Sequence, residues 1–600
     1  MHLSTHPLPR EGVRPRPGCE DGSVTDSAVS RPAPLDSAAS AARAVRALIA
    51  GGVTDVVVAP GSRSAPLAYA LAEAEAAGQV RLHVRIDERS GAFTALGLAL
   101  GGQRPAAVVT TSGTAVGELL PAVMEANHAA VPLVVVSADR PGELRGTGAN
   151  QTTVQPGLFG VHVRAALDVG AGEDPSIPVA EALRTALGRP ADGAAAGTAA
   201  PGPVHLNLAF RDPLVPDGAA EGTAAGDEPP APALEAPPGD RAVVDARPGA
   251  GSTVGSTTGS TTVVVAGHGA GELAAVFAAH LDLPLLAEPS SNARFGSSAI
   301  APYRLLLEHL GPAITRVVTF GRPTLSRPVT ALLARPDVEH ALYLPGPVAW
   351  FEEGRRPERI IDDLPELLAF AGRGKEGWLR SWREAGATAE AVIQSLLADE
   401  ERITGLHLAD AVWEHTDGNL VLGSSNPIRD VDLVGATDWH PLEVFANRGL
   451  AGIDGTVSTA TGVALAAGIP TRVLMGDLTF LHDVGGLLLG NGEPQPDLHI
   501  VVLNDGGGGI FGLLEHGAES TRARYGAAVE RLFGTPHTVD LAAIAAAHGL
   551  LYERATTLDE LHTAMERPIR GRSILEVRAE RATLRDLHAR IRRAVADGFL

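Results

Sequence analysis

Residues 472–483 read RVLMGDLTFLHD, and residues 498–511 read LHIVVLNDGGGGIF. Each begins with a short apolar run rich in β-branched residues, the signature of a strand buried on both faces. Each then breaks at an aspartate beside glycine: Gly476-Asp477 in the first, Asp505-Gly506-Gly507 in the second. Two parallel strands ending this way bring their carboxylates together beyond the carboxyl edge of one sheet, where open α/β sheets bind ligands. Asp477 and Asp505 offer hard oxygen donors, and the glycines let the backbone approach a ligand closely. That set suits octahedral Mg²⁺ shared with a phosphate group. The helix expected to open after Gly476 adds N–H donors for an anion. Taken singly, a helix-capping aspartate and a glycine turn explain either segment equally well; the ordered pair carries the reading.

The same alternation of strand and amphipathic stretch runs through the chain. Strands are expected at 55–59, 81–86, 106–111, 133–137 and 204–208, then at 262–266, 284–287, 317–320 and 341–344, and finally at 420–423, 442–446, 472–475, 498–503 and 573–577. Apolar strands alternating with helices predict an α/β fold of doubly wound parallel sheets covered on both faces. Length alone allows about four domains. Composition divides the chain differently. Residues 1–36 carry six prolines and no periodicity, so a disordered leader is expected, and 214–258 holds seven Pro, seven Gly and seven acids against two Arg, a linker. A softer boundary at 376–401 reads as a helical connection from Trp378 to Ala398. Three folded blocks follow, at 37–213, 259–375 and 402–600.

Composition also excludes chemistry. Of 49 basic residues, 48 are arginine, and the single Lys375 sits in the loop Gly-Arg-Gly-Lys-Glu-Gly. No G-K-[ST] phosphate loop exists, and an exposed lysine is a poor Schiff-base nucleophile. The only cysteine, Cys19, lies in the leader, which removes disulfides, CxxC metal sites and thiol catalysis. A reducing, cytoplasmic setting is expected. No run of 18 apolar residues escapes interruption, so no membrane span is expected, and the first residues lack the apolar core of a signal peptide. A net charge of −21 argues against nucleic-acid binding.

In the first block, the strand RLHVRI ends at Asp87-Glu88, and Glu88 opens a helix, where a carboxylate is also favoured by the helix dipole alone. Together with the two aspartate segments, this pattern resembles the thiamine diphosphate enzymes. The resemblance implies that Glu88 hydrogen-bonds the aminopyrimidine ring and promotes formation of the reactive ylid. It implies further that Asp477, Asp505 and the Gly507 carbonyl hold Mg²⁺, with Mn²⁺ as the alternative metal. The chain departs from the superfamily in two places: Leu478 follows Gly-Asp where glycine is usual, and Asp505 stands where asparagine is common. An aspartate there keeps an oxygen ligand.

Six further segments narrow the family: Ala59-Pro60-Gly61-Ser62-Arg63-Ser64, Thr110-Thr111-Ser112-Gly113-Thr114-Ala115, Ser137-Ala138-Asp139-Arg140-Pro141, Gly148-Ala149-Asn150-Gln151, Gly423-Ser424-Ser425-Asn426-Pro427-Ile428-Arg429 and Asn447-Arg448-Gly449-Leu450-Ala451-Gly452-Ile453-Asp454-Gly455. In this order they resemble the 2-succinyl-5-enolpyruvyl-6-hydroxy-3-cyclohexene-1-carboxylate synthase family of menaquinone biosynthesis. The resemblance is strong over 37–213 and 402–515 and weak in the middle block. It implies a pyrimidine-binding first domain, a middle domain and a diphosphate-binding third domain, assembled as a homodimer or dimer of dimers in which Glu88 of one subunit meets Asp477 of another. It also implies decarboxylation of 2-oxoglutarate and 1,4-addition of a succinyl carbanion equivalent to isochorismate.

Both substrates are dianions, and guanidinium forks grip carboxylates bidentately. Arg63, Arg140, Arg327, Arg429 and Arg448 are expected on loops just beyond strands. By resemblance, Arg63, Asn150, Gln151 and Arg327 face isochorismate, Arg140, Arg429 and Arg448 hold carboxylates of 2-oxoglutarate or its adduct, with Ser425 nearby, and Ser62 is a further substrate-binding residue. Gln151, Arg429 and Arg448 are counted with Glu88 as catalytic. Gly423, Ser425, Gly476 and Leu478 line the cofactor, Ile453 wedges beneath it, and Ile510 and Phe511 form an apolar wall. For the apolar residues ordinary core packing is the rival, and for any single arginine a surface ion pair is. Some family members place lysine where Ser326 stands. Three alternatives stay open at this point. An acetohydroxyacid synthase would usually carry Gly-Asp-Gly, an inactive thiamine-fold subunit would not need Glu88, Asp477 and Asp505 together, and a nucleotide-binding oxidoreductase would show G-x-G-x-x-G.

Overall fold

The computed structural model describes residues 33–189, 199–216, 259–352 and 354–599. Most of the expected leader (1–36, with Cys19) and most of the expected linker (214–258) lie outside the described residues.

Among the described residues, seventeen strands form three sheets, and every pairing is parallel. The first sheet contains β1 (Asp55–Val58), β2 (Arg81–Val84), β3 (Ala106–Thr110), β4 (Leu133–Asp139), β5 (Ala166–Val169) and β6 (Val204–Ala209), ordered β2-β1-β3-β4-β6-β5. The second contains β7 (Thr262–Ala266), β8 (Leu285–Ala287), β9 (Arg316–Phe320), β10 (Glu339–Tyr343) and β11 (Arg359–Ile361), ordered β11-β10-β9-β7-β8. The third contains β12 (Asn419–Leu422), β13 (Glu443–Phe445), β14 (Thr471–Gly476), β15 (Leu498–Asn504), β16 (Leu551–Ala555) and β17 (Arg572–Arg578), ordered β13-β12-β14-β15-β17-β16. The expected α/β fold with three doubly wound parallel sheets is what forms.

Central strands such as β3, β4 and β15 are buried at every position, which is why they read as unbroken apolar runs. The sequence pattern misses β5, β11 and β16. All three are sheet edges, and each has only one fully buried position, so the apolar signal is diluted. Two of the five arginines expected on loops instead sit in helices: Arg327 begins the helix Arg327–Leu333, and Arg429 lies inside the helix Asn426–Val434. In both cases proline at the second helical position starts the helix early, where its missing N–H costs nothing.

The first and third blocks meet through a pair of closely packed helices, Glu88–Gly102 and Thr456–Ala467. Small residues make this possible. A Cβ at Gly97 would lie 2.1 Å from the Thr459 carbonyl oxygen, and one at Gly462 would lie 2.2 Å from that of Thr94. The expected helical connection appears as the helix Trp378–Ala398, but it is more than a connection. Trp382, Ile393 and Leu397 belong to a core shared by the middle and third blocks, and Trp378 donates its indole N–H to the Thr262 carbonyl at 2.8 Å.

Candidate active site

The register of the third sheet decides which side chains meet. Met475 pairs with Val502 and Gly476 with Leu503, so Asp477 and Asp505 emerge side by side from the ends of β14 and β15. Asp477 opens the helix Asp477–His482. Its Oδ1 accepts the Leu478 N–H at 2.7 Å, and its Oδ2 accepts the Gly507 N–H at 2.8 Å and a hydrogen bond from His537 Nε2 at 2.9 Å. Burial pushes its carboxyl above the ordinary range. Asp505 is pushed up to about 7, first by burial and then by the Asp477 charge. Its Oδ1 is buried without any hydrogen-bond partner. Two carboxylates held together in low dielectric, one with an orphaned oxygen, form a place that a divalent cation would neutralise and complete.

The glycines are required by shape. Gly507 has φ near +149°, and a Cβ there would lie 2.2 Å from the Gly534 carbonyl oxygen. A Cβ on Gly509 would strike Asp505 Oδ2 at 2.0 Å. The Gly507 carbonyl accepts one 3.1 Å bond, from the Gly509 N–H, which leaves a second lone pair for a ligand. No three His, Cys, Asp or Glu side chains gather as a metal set among the described residues, so a cation here would rest on this aspartate pair and backbone oxygen.

Beside this pair, β12 runs into buried Gly423, and Ser425 caps the helix Asn426–Val434 with φ +84°. Ser425, Gln151 (φ +54°) and Ala451 (φ +60°) are non-glycine residues in the left-handed region, and all three fall inside the motif segments. Backbone strain of this kind gathers at functional sites. Arg429 donates to the Ser425 carbonyl and lines a cavity of about 1110 Å³ together with Ser326, Arg327 and Ile510. Exposed Arg327 pairs with exposed Glu515 at 2.7 Å, so the plain ion-pair reading describes it in this structure. Arg448 is buried, with Nε and Nη2 on Thr324 Oγ1 at 3.1 and 2.7 Å. Burial lowers the pKa of both Arg429 and Arg448. Half-buried Ile453 lies on the loop before the helix Thr456–Ala467, half-buried Leu478 lies in the helix Asp477–His482, and Phe511 packs against Phe533.

The first block builds its own cleft. Asp87 caps the helix Glu88–Gly102 by accepting the Ser90 N–H at 3.0 Å, which leaves half-buried Glu88 on a cavity of about 640 Å³ shared with Ser62 and Gln151. Arg140 donates to the Ser112 hydroxyl at 3.1 Å and to the Asn150 carbonyl at 2.6 Å. Gln151 is tied to Ser112 by reciprocal 2.8 Å bonds. Arg63 donates to the Phe210 carbonyl at 3.0 Å; burial, and then the charge of Arg140, lowers its pKa.

The expected residues thus gather in two groups. Ser62, Arg63, Glu88, Arg140, Asn150 and Gln151 lie at the first sheet, and the remainder lie at the third sheet and its border with the middle block. The cavity beside Glu88 is lined only by first-block residues, and no hydrogen bond or ion pair among the described residues joins Glu88 to Asp477 or Asp505. Sequence reasoning placed Ser112 in a motif segment without a role for it, and missed His537 and two buried glutamates, Glu125 and Glu288. Their partners are distant in sequence, and no spacing rule announces them.

Comparison with known proteins finds relatives along nearly the whole chain. Two family models match: thiamine pyrophosphate enzyme, N-terminal TPP binding domain, over residues 40–158, and thiamine pyrophosphate enzyme, C-terminal TPP binding domain, over residues 435–577. A protein of Paenarthrobacter aurescens (strain TC1) named 2-succinyl-5-enolpyruvyl-6-hydroxy-3-cyclohexene-1-carboxylate synthase is 59% identical, over 94% of this chain and 97% of its own. Its namesake in Arthrobacter sp. (strain FB24) is 58% identical over 94% of each chain. Another, from Mycolicibacterium smegmatis, is 43% identical over 91% of this chain and 97% of its own.

Proposed function

Since this chain belongs to the 2-succinyl-5-enolpyruvyl-6-hydroxy-3-cyclohexene-1-carboxylate synthase family of thiamine diphosphate enzymes, we propose that it is a transferase catalysing the reaction of that name. It decarboxylates 2-oxoglutarate and adds the remaining four-carbon unit to isochorismate by 1,4-addition, releasing CO₂, as a cytoplasmic step of menaquinone biosynthesis. The observation that carries the reading is the buried, unpartnered Oδ1 of Asp505 beside Asp477, in a glycine turn where Gly507 and Gly509 leave no room for a side chain.

Bound thiamine diphosphate supplies the nucleophile and electron sink that this chain, with one exposed lysine, does not provide from its own side chains. Asp477, Asp505 and the Gly507 carbonyl would hold Mg²⁺, or Mn²⁺ in its place, and His537 would orient Asp477 from behind. Gly423, Ser425, Gly476 and Leu478 would line the cofactor, Ile453 would wedge beneath it, and Ile510 and Phe511 would form an apolar wall beside the reacting centre. Glu88 would hold the proton exchanged with the aminopyrimidine ring. Arg63, Asn150, Gln151 and Arg327 would bind isochorismate, Arg140, Arg429 and Arg448 would bind carboxylates of 2-oxoglutarate or its adduct with Ser425 nearby, and Ser62 would be a further substrate contact. The domains would be 37–213 for the pyrimidine, 259–375 in the middle and 402–600 for the diphosphate. A homodimer, or a dimer of such dimers, would bring the Glu88 cleft of one subunit to the aspartate pair of another.

The test is purified protein with thiamine diphosphate, Mg²⁺, 2-oxoglutarate and isochorismate. Isochorismate absorbance should fall with matched CO₂ release, and omission of any one component should stop both. CO₂ release that ignores isochorismate would indicate a simple 2-oxoacid decarboxylase. Preference for pyruvate would indicate an acetohydroxyacid synthase.

A further inference from the structure

The backbone just after Arg448 is gripped by both of the other blocks. Glu125, on the first-block helix Leu120–His128, accepts the Gly449 N–H at Oε1 and the Leu450 N–H at Oε2, each at 2.7 Å. Arg322, just beyond β9 in the middle block, donates from Nη1 to the Gly449 carbonyl at 2.6 Å. Gly449 therefore has both its N–H and its C=O fixed from outside its own block. A Cβ on Gly449 would lie 2.7 Å from the Glu125 carbonyl oxygen, so the close approach needs glycine.

A second carboxylate repeats the device one step away. Buried Glu288 accepts the Thr324 and Leu325 N–H groups at 2.7 and 2.8 Å. Thr324 is the residue whose hydroxyl receives two donors from the Arg448 guanidinium. One glutamate thus fixes the backbone that carries Arg448, and the other fixes the backbone that carries its partner. Neither glutamate forms an ion pair among the described residues, and burial raises the pKa of both, Glu288 to about 7. Burying a carboxylate is costly, and simple adhesion between blocks would be served better by apolar side chains. Both carboxylates instead secure successive amides around one arginine.

We propose that Glu125 is a positioning residue for the reaction: by gripping the Gly449 and Leu450 amides, with Arg322 holding the Gly449 carbonyl, it sets the direction in which Arg448 meets a substrate carboxylate. This rests on the reading of Arg448 as a carboxylate-binding residue of the proposed synthase. It makes recognition in the third block depend on the docking of the first and middle blocks.

The test uses the full-length holoenzyme with thiamine diphosphate and Mg²⁺. Glu125→Gln keeps the side chain's shape and loses one acceptor. It should lower kcat/KM for 2-oxoglutarate by about 10- to 100-fold, the usual cost of misplacing a substrate-orienting group, while thiamine diphosphate affinity stays at the wild-type value. In an Arg448→Ala background the same substitution should add no further loss, because a residue acting through Arg448 has nothing left to act on. Arg322→Gln loosens the same glycine from the other side and should show the same non-additivity, which keeps the inference testable if Glu125→Gln does not fold. Losses that multiply with that of Arg448→Ala, or a defect confined to melting temperature and cofactor affinity, would overturn it. Failure of the wild-type enzyme to consume the two substrates would instead overturn the functional reading, and the inference would fall with it.

Discussion

Asp505 is a residue whose surroundings are uncomfortable without a cation. Its Oδ1 has no partner, and burial and the neighbouring Asp477 together push its carboxyl to about 7. Asparagine would keep an oxygen for a metal and remove the charge. Asp505→Asn should therefore raise the melting temperature of the protein in chelator, by about 1–3 kcal/mol of stability. It should also shrink the further rise that Mg²⁺ with thiamine diphosphate produces, since less repulsion is left to relieve. Calorimetry with and without Mg²⁺ checks both, and an unchanged or lower melting temperature in chelator would count against a cation-dependent pair. At this scale the sequence was informative about carboxylates placed just beyond strand ends: the positions of Glu88, Asp477 and Asp505 were all legible. Glu125 was not, because it lies mid-helix and its partners are more than 300 residues away. His537 was missed for a related reason, since it reaches Asp477 from a loop 60 positions downstream.

Between elements, the contact of Glu88–Gly102 with Thr456–Ala467 controls how Glu88 is held. Gly97→Ala would push a methyl to 2.1 Å from the Thr459 carbonyl oxygen, a backbone atom that cannot swing away. The expected cost is about 1–3 kcal/mol, read by urea unfolding. Gly526→Ala, in the helix Glu519–Val529 with nothing near its Cβ, should instead stabilise by about 0.5–1 kcal/mol. A similar gain from both would mean that helix propensity, not close approach, governs Gly97. The first sheet supplies a pH prediction. Asp55, at the start of β1, meets Arg81 at 2.8 Å and His83 at 3.1 Å. Burial raises its pKa, but the hydrogen bonds from His83 and Arg81 outweigh this and hold it well below the ordinary carboxylate range. A lowered folded-state pKa adds stability above the unfolded value of 3.8, and that stability is lost as pH falls below it. Asp55→Asn should destabilise the protein at pH 7 by about 2–4 kcal/mol and flatten the loss between pH 4 and pH 2 by comparison with wild type; a parallel acid profile would rule the pair out. Elements were legible wherever both faces of a strand are buried. β5, β11 and β16 escaped because an edge strand with one solvated side need not be apolar.

For the whole molecule, the first and third sheets share one strand order, so equivalent loops recur in both. Ser62-Arg63 follows β1 as Ser424-Ser425 follows β12, and Glu88 follows β2 as Arg448 follows β13. The three sheets were legible from the alternation of strand and helix, but the core joining the second and third of them through Trp382 was not, since burial in a shared core leaves no local mark. The resemblance implied that Glu88 of one subunit meets Asp477 of another, and the cavity beside Glu88 is lined by residues of the first block alone. If each active site combines the Glu88 cleft of one subunit with the aspartate pair of another, two inactive variants should rescue each other. Glu88→Gln and Asp477→Ala chains, each nearly inactive alone, would form mixed dimers holding one intact site and one site with both lesions. Random pairing makes half the dimers mixed, so equal amounts unfolded and refolded together should recover about a quarter of wild-type activity. Were each site built within one chain, every site would keep one lesion and mixing would restore nothing. Recovery that rises with re-equilibration time, and is absent when the variants are combined without subunit exchange, would place the interface between Glu88 and Asp477.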